Sequence, residues 1–411
     1  MAPPPRAHAE RLATTPDFLP RSGASAVAVG DDVLLLCGYE EERKTAAAAA
    51  AAGDAAPPER RATNGAHAFS ARDLQWRALP VAGDLPTPRL AAGAVELGGS
   101  AYLIGGWAAG AAQGADAFLA DVWRLAPPPS DTPGPWRWQR AELAPGSVDA
   151  LGGGGVSRFA CAAVSPTRAI LHTHRCGDHV VALDVGGGVG GGGGAGGPGA
   201  APPAARLSRV PVLPDPQHGA PPSRGLQSMT LVVASGAAGE GEGGGGSGDA
   251  KKRQRLLVFG GAPQKGPMFG DLWALDGDFL GDGPLQWTRL WAGGGAEEGE
   301  GQGTEAAPHV RCSHVAADVD GGLLVLGGSY YTPQGSLCPL DDAWWFDASA
   351  GGGTWRRVAL GGGDARPPAA RNAAVLAPLP SADPTRRRRF LYHGGWRPFV
   401  ETYDDSWILR F

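Results

Sequence analysis

The side chains best suited to chemistry are concentrated in one short stretch, His172-Thr173-His174-Arg175-Cys176-Gly177-Asp178-His179. On a strand, alternation puts His172 and His174 on one side, and a tight hairpin returns His179 or Cys176 toward them. Imidazoles and a thiolate gathered in this way are the donors of a tetrahedral zinc site. His172, His174 and His179 are therefore the candidate metal ligands. Against this stands a bland reading, since His174 and His179 also occupy positions where other parts of the chain carry structural residues.

A second set of reactive groups is spread along the whole sequence. Arg21, Arg89, Arg158, Arg224, Arg311 and Arg371 each stand just before a short apolar strand, as in Pro88-Arg89-Leu90-Ala91-Ala92-Gly93-Ala94-Val95. Their spacing, roughly 60 to 90 residues, is that of a repeated supersecondary unit. Arginines at one position of a circular repeat line one mouth of a ring, where guanidinium groups suit a carboxylate, a phosphate or an acidic peptide. The same residue can instead bridge to the backbone of a neighbouring repeat, a purely structural use.

The elements that must position these groups follow from period-two patterns. After each Arg comes a second strand ending in Gly-Gly: Tyr102-Leu103-Ile104-Gly105-Gly106, Leu257-Val258-Phe259-Gly260-Gly261, Leu324-Val325-Leu326-Gly327-Gly328 and Leu391-Tyr392-His393-Gly394-Gly395. Cys37-Gly38 and His174-Arg175 are degenerate copies of that pair. A third strand reads Asp-x-Trp-x-Leu/Phe from Asp121, Asp271, Asp342 and Asp405, with Gly65, His67 and Phe69 or His179, Val181 and Leu183 in the divergent first and third repeats. A fourth strand begins near Trp76, Trp136 or Trp138, Leu207, Trp287 and Trp355. The sixth repeat ends at Phe411 before any fourth strand, and Glu10-Arg11-Leu12-Ala13 resembles the missing one, so the N-terminal stretch is expected to complete the last sheet and remove a free edge.

The diglycine strand ends and the Asp-x-Trp strands resemble the kelch-repeat family, over roughly Glu10 to Phe411. The resemblance implies an all-β fold, a six-bladed β-propeller of four-stranded antiparallel blades, as a single unit over residues 1–411. The blades fall at about 21–79, 89–143, 158–213, 224–291, 311–360, and 371–411 plus 10–16. It also implies that the residues after the diglycines, Tyr39, Trp107, Gln264, Lys265, Tyr330, Tyr331, Trp396 and Arg397, share a face with the Arg mouth. Aromatic residues beside Arg are what interaction hot spots contain. Enzymes of the galactose oxidase/kelch superfamily use a Tyr and His copper site, and plant specifier proteins a Glu-x-x-x-Asp-x-x-x-His iron motif. The first cannot be located in this sequence, and the second is not in it.

Composition narrows the classes. The 67 Gly, 37 Pro and 13 Trp suit short strands, frequent turns and aromatic anchors. A formal charge of -5 gives no general attraction to nucleic acid or to an anionic membrane. Five cysteines without a Cys-x-x-Cys pair read as reduced thiols, hence a cytoplasmic or nuclear setting. No signal-peptide core or membrane-length apolar run is visible. No cofactor and a monomeric state are expected.

Low-complexity runs at 46–52, 186–199, 236–250 and 293–303 read as excursions from the core. The basic runs Lys251-Lys252-Arg253-Gln254-Arg255 and Arg386-Arg387-Arg388-Arg389 read as solvated strand ends, with nuclear import as the sharper alternative. The expected function is a protein-interaction scaffold that binds an acidic or polar partner segment on the Arg-lined face. The alternative is a small-molecule-binding or metal-dependent enzyme.

Overall fold

Alternation decides the first strand of each unit. In Ser25–Val29 and Gly93–Leu97 every second residue is buried and those between are half-buried, as one packed face and one face on a narrow space require. The strands that follow, Ser100–Ile104 and Gly322–Leu326, are buried at every residue because they are covered on both faces.

The structure, a computed structural model, describes residues 5–13, 15, 18–42, 60–109, 117–129, 132–186, 202–234, 253–293, 307–348, 353–361, 366–380 and 388–411. Among these the chain is all-β apart from one α-helical turn, Ser147–Ala150. Lys251, Lys252, Arg386, Arg387 and nearly all of the low-complexity runs lie outside the described residues.

Antiparallel four-strand meanders succeed one another. The first is Ser25–Val29, Asp32–Leu36, Ala66–Ser70 and Trp76–Ala78; the second is Gly93–Leu97, Ser100–Ile104, Val122–Ala126 and Trp136–Arg140. Ala160–Ser165, Arg168–His172, His179–Val185 and Ala204–Leu213 form the third, and Ser228–Ala234, Arg253–Phe259, Leu272–Asp276 and Leu285–Trp291 the fourth. Val315–Val319, Gly322–Leu326, Ala343–Phe346 and Trp355–Val358 follow. The strands Val375–Pro378, Arg389–His393 and Ser406–Arg410 close the series, and Ala7–Arg11 runs antiparallel to the last of them, with Ala9 opposite Leu409. This strand begins three residues before the expected Glu10, since it is Ala9 that enters the core.

Apolar side chains fill the spaces between successive sheets. Leu34 and Leu36 meet Leu103, Trp123 and Trp138; Ile104 and Val122 meet Leu171 and Val181; Ile170 and Val180 meet Trp273 and Trp287. Leu257 and Phe259 meet Val325 and Trp344, and Leu324 and Trp345 meet Tyr392 and Trp407. Leu391 and Ile408 meet Val33, Phe69 and Trp76 of the first meander, with Phe18 between them. Each fully buried aromatic contributes about 2–3 kcal/mol of apolar transfer.

The innermost strands are tied together at their starts. The amide of Gly23 donates to the carbonyl of Ala373, Ala91 to Gly23, Arg158 to Ala91, Leu226 to Arg158, Ser313 to Leu226 and Ala373 to Ser313, all at 2.7–3.0 Å. Every one of these residues has a φ between 51° and 61°.

Candidate functional site

In an antiparallel meander the start of the first strand, the end of the second and the start of the third share one end of the sheet. The repeated Arg, the diglycine and the Asp of Asp-x-Trp therefore converge. Arg89 donates to both carboxylate oxygens of Asp121, at 2.6 and 2.9 Å, to the carbonyl of Gly105 at 2.8 Å and to that of Thr87 at 3.0 Å. Trp123 Nε1 donates to the same carboxylate at 2.7 Å. The arrangement recurs at Arg224 with Asp271 and Trp273, at Arg311 with Asp342 and Trp344, and at Arg371 with Asp405 and Trp407.

These four arginines are at most 1% exposed. That corrects the expectation of an Arg-lined mouth: their donors are spent on a carboxylate and backbone carbonyls of the same repeat. Arg21 is buried as well, but Gly65 occupies the Asp position of its repeat, and Glu40 supplies the carboxylate instead. Burial lowers the pKa of Arg21, with Glu40 acting against that.

Arg158 is the exception, and its register explains why. Ala160 lies opposite His172 as Gly93 lies opposite Ile104, which puts Val156 where the other repeats have Arg. The amide of Gly106 donates to the carbonyl of Val156 just as that of Gly38 donates to Arg89 and that of Gly261 to Arg311. Since His179 fills the Asp position, an Arg at 156 would be buried without a partner, and an apolar residue avoids that cost. Arg158 sits two residues on, exposed, with its guanidinium carbon 5.5 Å from the Trp107 ring centre.

The three histidines do not form the expected ligand set. The strand ends at His172, so His174 turns away from it; the residues in the diglycine position are Thr173 and His174 rather than His174 and Arg175. His172 is buried against Trp287 and within 3.2 Å of Gln227 Nε2, and burial, with Arg224 nearby, lowers its pKa to about 3. His179 Nδ1 lies 2.8 Å from Asp178 Oδ1. Among the described residues no group of three His, Cys, Asp or Glu could hold a metal ion.

The residues after the strand ends lie on the same face as Arg158. Trp107 bridges Leu90 and Phe118, Tyr330 packs at a tilt against His309 with ring centres 4.0 Å apart, and Tyr331 is 58% exposed. Arg60 lies 5.1 Å from the ring centre of Tyr39 and 4.9 Å from that of Trp396, and Arg397 lies 4.0 Å from Glu401. Gln264 and Lys265 are exposed. Sequence reasoning missed Phe399, 89% exposed with φ 61° at the tip of the hairpin formed by Trp396–Arg397 and Glu401–Thr402. No repeat marker falls on it. Of the basic runs, Arg255 pairs with Asp276 at 2.7 Å with both side chains largely buried, against the expected solvated strand end, and Arg388, about half exposed, pairs with Asp318 at 3.1 Å.

A cavity of about 630 Å³ runs between the innermost strands, lined by Ala26, Ala94, Ala162, Thr230, Ala316 and Leu376 among others. Its middle is walled mostly by alanine, and its charged lining residues include Glu96, Asp318 and Arg388, of which the last two pair with each other. A second hollow, about 430 Å³, opens on the loop face between the third and fourth repeats and includes Arg158, His174 and Arg175.

No family model and no curated protein matches the chain. The solved structure of YjhT matches it with a TM-score of 0.54 over 96% of this chain and 95% of that one, at 14% sequence identity. The class defined is an all-β protein of repeated antiparallel sheets, and a likeness at that identity bears on the fold alone. Among the described residues no helix is long and apolar enough to cross a membrane.

Proposed function

We propose that the chain is a six-bladed kelch-type propeller, closed by its N-terminal strand, whose loop face binds a segment of a partner protein. The circular reading is supported by the run of peptide hydrogen bonds that returns from Ala373 to Gly23 and by the apolar layer between the last sheet and the first. The free state of all five cysteines supports a reducing, cytoplasmic or nuclear setting.

One observation carries the binding reading. Phe399 is held at a left-handed φ on a hairpin tip, 89% exposed, with its ring 5.3 Å from that of Trp396, and Val400 beside it is 59% exposed. A left-handed aromatic costs about 1–2 kcal/mol, and the edge contact with Trp396, about 0.5–1.5 kcal/mol, does no more than offset that, so a tip that presents Phe and Val to water is not explained by the free protein. Exposed aromatic anchors beside Arg residues are what a partner's hot spot engages. The metal-dependent alternative has lost its three-histidine ligand set.

The test is capture of partners from native extract by the immobilised protein. Phe399→Ser combined with Val400→Ser should weaken capture by about tenfold or more while leaving Tm unchanged. Undiminished capture by that variant would remove the loop face from the interaction.

A further inference from the structure

The hollow between the third and fourth repeats differs from the rest of the loop face in its charge. Arg158, Arg175 and His174 line it together with Ser157, Ser223 and Gln264, and its lining contains no carboxylate among the described residues. Four of the repeat arginines are held bidentately by an aspartate, and Arg21 is held through Nη2 alone by Glu40, whereas Arg158 makes no ion pair or side-chain hydrogen bond among the described residues. Its guanidinium carbon lies 5.5 Å from the centre of the Trp107 ring, and the residue lines the hollow.

Arg175 is fixed in place. Its Nη1 donates to the carbonyls of Leu151 at 2.7 Å and Gly154 at 3.3 Å, and its stem lies over Gly152, where a Cβ would come within 2.7 Å of Cδ. Two backbone acceptors on one nitrogen leave Nη2 and Nε to a ligand and hold the fork still, which lowers the entropic cost of binding. Ser223 Oγ donates to the carbonyl of His174 at 2.6 Å and ties one wall to the other. Burial, and then Arg175, lower the pKa of His174, so its ring is neutral at pH 7 and can donate or accept without adding charge. Phe118, Leu226 and Pro263 supply an apolar side.

We propose that this hollow is a carboxylate-binding site, in which Arg158 and Arg175 hold the carboxylate of a small organic acid or of an acidic side chain. The volume of about 430 Å³ lies within the range of ligand pockets. Two guanidinium forks, with the Gln264 amide and the Ser157 hydroxyl beside them, match the planar, bidentate acceptor geometry of that group. Arg158 stands in the left-handed region at φ 56°, where the equivalent residue of the first repeat is Gly23, so the strain accompanies a charge that the fold itself does not use. This site shares no lining residue with the Phe399 tip and goes beyond the partner docking proposed there.

The experiment is calorimetric titration of the full chain with succinate, with a hexapeptide carrying two glutamates, and with inorganic phosphate. Saturable binding of succinate, or of the peptide alone, is expected, and each result supports the site while assigning its source to a free acid or to a protein side chain. Arg158→Gly should weaken that binding by at least about tenfold and leave Tm unchanged or raised, because relief of the left-handed strain offsets the loss of the exposed contact with Trp107. Arg175→Lys, which keeps the charge and loses the fork, should weaken it as well. Binding of neither carboxylate probe, tighter binding of phosphate than of both, or full affinity in Arg158→Gly would overturn the proposal. The Phe399 and Val400 variant reads partner capture separately, so failure here and failure of the docking reading are told apart.

Discussion

Arg311 and Asp342 hold each other through two parallel hydrogen bonds, Nη1 to Oδ1 at 2.7 Å and Nη2 to Oδ2 at 2.8 Å, with Arg311 wholly buried. The pair joins the entry to one strand with the entry to another, and a third donor reaches the Gly327 carbonyl at 2.9 Å. Arg311→Ala leaves a largely buried carboxylate unpaired, and a loss of about 3–5 kcal/mol is expected in urea unfolding. Arg311→Val with Asp342→His copies the pairing of Val156 with His179 in the third repeat and should recover part of the loss. A single variant that unfolds at the wild-type midpoint would contradict the structural role given to these arginines.

Acid should weaken the protein in two stages. Burial lowers the pKa of His67 to about 4 and those of His172, His314 and His393 to about 3, with nearby arginines adding to the effect. In the unfolded chain these imidazoles take up protons near pH 6.5, so their contribution is complete above that value and falls as pH drops from about 6.5 toward 3. Burial alone would raise Asp121, Asp342 and Asp405, but hydrogen bonds and charge from Arg89, Arg311 and Arg371 lower them overall. Their contribution is present above the unfolded carboxylate value, about 4, and is lost below it. The urea midpoint should therefore decline already between pH 6.5 and pH 5; a flat midpoint over that interval would show that the histidines titrate freely.

The run of backbone hydrogen bonds that returns from Ala373 to Gly23 predicts opposite effects for two small substitutions. Gly23 and Ala373 share a left-handed φ, 61° and 51°, and the amide of the first donates to the carbonyl of the second at 3.0 Å. Gly23→Ala meets no steric obstacle closer than 3.7 Å, so its cost is backbone strain alone, about 1 kcal/mol. Ala373→Gly relieves the same strain and, after the entropy of the freer unfolded chain, should stabilise by up to about 1 kcal/mol. Thermal unfolding of the two variants in opposite directions is the expected result, and equal losses would refute the left-handed assignment.

Strand identity and order were legible because alternation and the Asp-x-Trp and Gly-Gly markers are local. Trp123, Trp273, Trp344 and Trp407 all sit where the period-two reading puts them, in strands whose inner faces are buried. The use of the arginines was not legible in the same way. Position before a strand places the Cα of Arg89 at the loop end, but the direction of its side chain depends on Asp121 arriving from another strand. The metal reading of His172, His174 and His179 failed for a related reason: alternation holds only while the strand lasts, and this one stops at His172.

By itself the sequence determined period, strand content and the positions of the diglycine turns in every repeat but the third, all of which depend on near neighbours and on the twofold geometry of an extended backbone. Only the tertiary structure decided which charges are neutralised inside and which remain outside, because the cost of burying a guanidinium is settled by a carboxylate far away in the chain. Arg158 shows the difference: by its spacing it belongs with the other five, and by the pairing of Ala160 with His172 it stands two residues out of step, exposed in the hollow it lines.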